Sequence, residues 1–136
     1  MALSFETTGL FNNITYSNSM MKFATVLSSS LEMNNIEINQ LSLNQYLLEC
    51  NRCERAIWQN IVIKDFTTTS QYIIFLLGSV IDHISNLTVA DINAIVCHAY
   101  RTNITLIDNL HISNATTGIY LKKSQVSLIQ NSLIRD

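Results

Sequence analysis

Proline is absent from the 136 residues and glycine occurs only three times. Those two residues normally supply turns, so a chain that reverses often must use something else. Asn, which tolerates left-handed backbone better than most residues, is abundant enough to do it. Charge is also scarce: Asp, Glu, Lys and Arg make up 13%, about half the usual share. The net charge of −2 gives no reason to expect nucleic acid or an acidic membrane as partner. Nearly half the residues are apolar, which excludes disorder by composition. The longest apolar run, Tyr72 to Leu77, falls far short of the ~20 residues of a transmembrane helix. The first ten residues hold an acid and no basic-then-apolar pattern, so no signal peptide is read there; secretion would require a signal upstream, making the chain a fragment or processed product.

What is present is a repeat. Asn13-Ile-Thr-Tyr-Ser-Asn18, Asn35-Ile-Glu-Ile-Asn-Gln40, Asn60-Ile-Val-Ile-Lys-Asp65, Asn86-Leu-Thr-Val-Ala-Asp91, Asn109-Leu-His-Ile-Ser-Asn114 and Asn131-Ser-Leu-Ile-Arg-Asp136 align without gaps. Their leading Asn residues are 22, 25, 26, 23 and 22 positions apart. Two before each Asn stand Phe11, Met33, Trp58, Ile84, Ile107 and Ile129. One after stand Ile14, Ile36, Ile61, Leu87, Leu110 and Ser132, and three after stand Tyr16, Ile38, Ile63, Val89, Ile112 and Ile134. Seventeen of these eighteen are apolar, where composition alone gives about nine.

Apolar residues at +1 and +3 with polar ones between make a short strand with one buried face. Such a strand cannot bury that face alone, but a chain wound into stacked coils ~4.8 Å apart can. Further strands are expected at Val26-Leu27, Leu47-Leu48, Ile73 to Leu77, Ile95-Val96 and Ile119 to Leu121. The expected fold is all-β: a single-stranded parallel β-helix over residues 1–136, of about six coils, without a capping helix and as a segment of a longer solenoid. Asn35, Asn60, Asn109 and Asn131 are expected to form a hydrogen-bonded ladder at a buried bend.

The segment Gly118-Ile-Tyr-Leu-Lys-Lys-Ser-Gln-Val-Ser-Leu-Ile-Gln-Asn-Ser-Leu-Ile134 resembles one coil of a right-handed parallel β-helix of the pectin-lyase-like type. The resemblance is to a repeat pattern spanning Asn13 to Asp136; earlier coils depart from it, with Gly78 their only glycine. It implies handedness, and a polysaccharide-binding or polysaccharide-degrading alternative. The competing leucine-rich repeat wants Asn at +6, where this chain has Ser19, Leu41, Phe66, Ile92 and Ala115.

No catalytic motif stands out, and a non-enzymatic role is expected. Asp65 and Asp91 share the +5 column and are the one weak calcium candidate; two turn-forming acids are the plainer reading. No other metal site or cofactor is expected. Cys50-Asn-Arg-Cys53 admits a local disulfide, pairing elsewhere, or free thiols; Cys97 is two coils away. His98 and His111 show no metal spacing. Glu37, Lys64, His111 and Arg135 on the outward +2 and +4 columns are scattered. Asn13, Asn86, Asn103 and Asn114 lie in N-glycosylation sequons; a glycan on Asn13 or Asn86 conflicts with their place in the ladder column. The function expected is a structural or interaction module of a secreted or cell-surface glycoprotein. Its partners would be N-linked glycans and other coils, with self-association end to end into filaments.

Overall fold

Among the described residues, twelve other than glycine have positive φ, and their positions define the architecture. Asn13, Asn35, Asn60, Asn86, Asn109 and Asn131 all lie between 50° and 55°. A second set comprises Asp65, Asp91 and Asn114, and a third Arg52, Arg101 and Lys123, with Gly78 in line. A left-handed residue between extended segments bends the chain sharply, and Asn and Asp accept it more readily than other side chains. Three such bends per repeat fold the chain into turns with three sides.

In a computed structural model, the backbone is described for residues 3–5, 9–17, 24–27, 30–43, 46–69 and 71–135, and side chains for 10–15, 30–39, 46–69 and 71–135. Tyr16, Val26, Leu27 and Gln40 have side chains outside this set, and Asn18 and Asp136 lie outside it altogether. The strands are β1 (Leu3–Phe5), β2 (Gly9–Ser17), β3 (Ala24–Leu27), β4 (Ser30–Leu43), β5 (Leu48–Asn51) and β6 (Arg55–Thr68). They continue with β7 (Tyr72–Leu77), β8 (Val80–Tyr100), β9 (Asn103–Lys122), β10 (Gln125–Gln130) and β11 (Leu133–Arg135). Every pairing is parallel. The long strands run through the bends, so β8 pairs with both β6 and β7 on one side and with β9 on the other. The fold is a parallel β-helix of about five turns: six Asn anchors bound five repeats, and among the described residues β11 follows the sixth.

Register follows the repeat. Ile36, Ile61, Leu87 and Leu110 stack, as do Ile38, Ile63, Val89 and Ile112. All eight are at most 4% exposed, and Met33, Trp58, Ile84 and Ile107 are equally buried. Ile129 and Ile134 occupy the same columns on the last rung yet are 53% and 57% exposed, because no described rung covers them.

Between bends, the side after the Asn is four residues long (61–64, 87–90, 110–113), and the side before it is seven (79–85, 102–108, 124–130). The variation in repeat length falls on the remaining side, which runs over 66–77, 92–100 and 115–122. Where β8 carries a register shift after Ile92, Asn93 Oδ1 accepts from the Thr68 backbone N–H at 3.1 Å and substitutes for a ladder bond.

Candidate functional site

The three bends differ in chemistry. At the first, the side-chain amides run from turn to turn: Asn35 Nδ2 donates to Asn13 Oδ1 at 2.9 Å, Asn60 to Asn35 at 3.1 Å, Asn86 to Asn60 at 2.8 Å and Asn109 to Asn86 at 2.8 Å. Asn131 instead donates to Asp108 Oδ1. These residues are exposed, not buried, because a left-handed bend directs the side chain outward. Asn13 and Asn86 therefore belong to the ladder and face solvent together. At the second bend, Asp65 and Asp91 occupy adjacent rungs, and Asn114 Nδ2 donates to Asp91 Oδ1 at 2.8 Å. Among the described residues no group of three or more His, Cys, Asp and Glu could hold a metal ion.

The third bend went unread in the sequence. Arg52, Gly78, Arg101 and Lys123 stand eight positions before Asn60, Asn86, Asn109 and Asn131. A constant offset was the available signal. Three long basic side chains hold a backbone conformation that costs about 1–2 kcal/mol per residue without glycine or a short polar side chain. All three are exposed. Lys122 adds a fourth cation beside them. The Lys122 ammonium lies 5.9 Å and the Arg101 guanidinium carbon 5.3 Å from the Tyr100 ring centroid. These four are half of the chain's eight Lys and Arg residues.

The next column inward is small and polar: Cys53, Ser79, Thr102 and Ser124. The backbone N–H of each of the first three donates to the hydroxyl one turn on, Cys53 to Ser79 at 3.0 Å, Ser79 to Thr102 at 3.3 Å and Thr102 to Ser124 at 3.0 Å. Cys53 is joined to Cys50 by a disulfide, Cα to Cα 5.8 Å, closed around the bend at Arg52. Cys97 is a buried free thiol whose pKa burial pushes up to about 12.

On the outward face leading to this bend, rings pack against one another across turns. Tyr46 lies 5.0 Å from Phe75, Tyr72 4.3 Å from His98, and His98 5.0 Å from Tyr120. Phe75, His98 and Tyr120 are in register, again at one offset from the Asn anchors. Both His98 nitrogens lack a hydrogen-bond partner. Burial, and secondarily the charge of Lys122, lowers its pKa.

The outward residues of the +2 and +4 columns are not brought together. Glu37 accepts from Asn39 at 2.8 Å, three rungs from His111, while Lys64 and Arg135 are likewise separated by Ala90 and Ser113. Arg55 is engaged by Asp82, whose hydrogen bond and charge raise its pKa. Of the sequons, Asn103 and Thr105 are exposed; the side chains of Asn13, Asn86 and Asn114 are hydrogen-bonded as described.

The molecule is thus a β-solenoid carrying an amide ladder, a cationic bend and a ring stripe. No family model, curated protein or solved structure matches the chain.

Proposed function

We propose that this protein is a structural and interaction module that associates end to end through its solenoid axis. The observation that carries this reading is the last rung. Leu121, Ile129 and Ile134 are 40%, 53% and 57% exposed, although Ala99, Ile107 and Ile112 directly beneath them are at most 2% exposed. The described partner of β10 and β11 is β9, which leaves their other edges open among the described residues. Such an edge pairs readily with another chain, and a head-to-tail contact that does not close grows into a filament. The occupant proposed is a further rung carrying the same columns, supplied by a second copy or by flanking coils of a longer solenoid.

Placement outside the cell is supported by the disulfide at Cys50–Cys53, since such bonds persist in oxidising compartments, and by the exposed sequon at Asn103. Kinship with pectin-lyase-like proteins is proposed on the Gly118 to Ile134 segment alone. The test is electron microscopy and sedimentation of the natural protein beside an Ile129→Lys/Ile134→Lys variant. Filaments that the variant shortens or abolishes support the reading. Discrete monomers of the natural protein overturn it.

A further inference from the structure

The two ends of the solenoid differ from the turns between them and from each other. Register carries three core columns from the first described turn to the last: Phe5 to Leu121, Phe11 to Ile129 and Tyr16 to Ile134. All three columns end on an exposed aliphatic residue, and all three begin on an aromatic one. Between those ends they hold a single ring, Trp58. Among the described residues, β1 pairs only with β3 and β2 only with β4, so this end too has open strand edges. A solenoid end that has only to stay soluble is polar on its outer face. A ring in each column is instead large apolar area held ready for burial.

We infer that the last rung receives the first rung of a second copy in register, Phe5 over Leu121, Phe11 over Ile129 and Tyr16 over Ile134, an inference that rests on the end-to-end reading and fixes its partner and geometry. In this joint β1 continues the column of β9, and β2 continues those of β10 and β11, all in the parallel sense of the turns within each copy. The amide ladder has the same polarity. Each Asn donates to the turn before it, as Asn35 does to Asn13 and Asn109 to Asn86, and an incoming Asn13 meets Asn131 in that sense. One copy then spans six rungs, an axial repeat of about 29 Å.

Charge selects this orientation over its alternatives. Residues 1–43 carry Glu6, Glu32 and Glu37 against Lys22, a net −2. Residues 101–136 carry Arg101, Lys122, Lys123 and Arg135 against Asp108 and Asp136, a net +2. All four of those cations are exposed, as are Glu32 and Glu37. Joining the last rung to a first rung brings opposite charge together, whereas last on last or first on first brings like charge together and is suppressed. Like ends meeting would also oppose aliphatic to aliphatic and ring to ring, and would reverse the ladder.

The test is cross-linking between full-length chains at outward positions, where substitution leaves the core intact. Leu10 and Thr15 on the first turn and Leu128 and Leu133 on the last are exposed. Leu10 shares a column with Leu128, and Thr15 with Leu133. In the joint, each matched pair stands about 4.8 Å apart, within disulfide reach. Four variants, Leu10→Cys, Thr15→Cys, Leu128→Cys and Leu133→Cys, are mixed in pairs under mild oxidation, with the parent chain, whose free Cys97 is buried, as control. The expected result is rapid disulfide formation in the Leu10/Leu128 and Thr15/Leu133 mixtures, and about tenfold less or none in the crossed mixtures or in any variant alone. Crossed pairs that link as fast as matched ones mean a rotated or loose joint, and Leu128→Cys or Leu133→Cys linking to itself means that last rungs meet; either overturns the inference. No cross-link in any mixture also overturns it and leaves the last rung to flanking coils. Filaments of the natural protein without matched cross-links sink this joint and keep end-to-end association, so the two readings fail separately.

Discussion

The side-chain amide of Asn86 donates to the side-chain carbonyl of Asn60 at 2.8 Å, while Asn60 donates to Asn35 at 3.1 Å. Asn60 thus joins three turns and holds a φ of 53°. The two roles separate by substitution. Asn60→Ala loses the ladder bonds, worth about 1 kcal/mol net, and adds left-handed strain of about 1–2 kcal/mol. Asn60→Gly loses only the bonds. Urea denaturation should show Ala the more destabilised by about 1–2 kcal/mol. Equal losses would mean that conformation contributes nothing.

His98 sits between Tyr72 and Phe75 on one side and Tyr120 on the other, with Lys122 the cation that acts on it. Its pKa is lowered in the folded chain, so below the ordinary value of ~6.5 the unfolded chain binds the proton first. Stability is then full above ~6.5 and falls with pH until the lowered folded value is passed. The urea midpoint should drop as the pH is lowered below about 6.5, and His98→Phe should flatten that drop while keeping the ring stripe. An unchanged slope in His98→Phe would place the acid sensitivity elsewhere.

The periodicity of Ile, Val and Leu around Asn carries the core columns and the parallel stacking, because burial selects one chemistry in every turn. The third bend shares a conformation and not a side-chain type: Arg52, Gly78, Arg101 and Lys123 do not look alike. Phe75, His98 and Tyr120 face outward, where no burial pattern marks them as a column. Ile129 and Ile134 show the opposite limit. Their sequence positions read as core, but periodicity reports membership of a column and not whether another rung covers it. The Asn ladder reads as a buried bend for the same reason: amide pairing is legible, and the outward aim of a left-handed corner is not.

Cys53 holds the place that Ser79, Thr102 and Ser124 hold in later turns. A serine there has a carbonyl two residues back to bond, as Ser79 has Leu77 at 3.0 Å. Cys50→Ala/Cys53→Ser should therefore fold, losing about 2 kcal/mol for a four-residue closed loop. Calorimetry under non-reducing conditions measures it. A loss several times larger would show that the disulfide carries more of this corner than chain closure accounts for.

Cys97 is 4% exposed between Ile74 and Ile119, with its thiol pushed up to about 12. At pH 8 it is protonated and covered, so both chemistry and access protect it. Alkylation should then proceed only through opening of the β7–β8–β9 stack, and its rate should rise with urea along the unfolding curve. Ile119→Ala thins the cover on the side of the last rung and should accelerate labelling more than the same change at the deeper Ile74 would if opening starts from that end. The reverse order would mean that the stack opens from within, and labelling of native Cys97 as fast as of the unfolded chain would mean that the column is not closed at all.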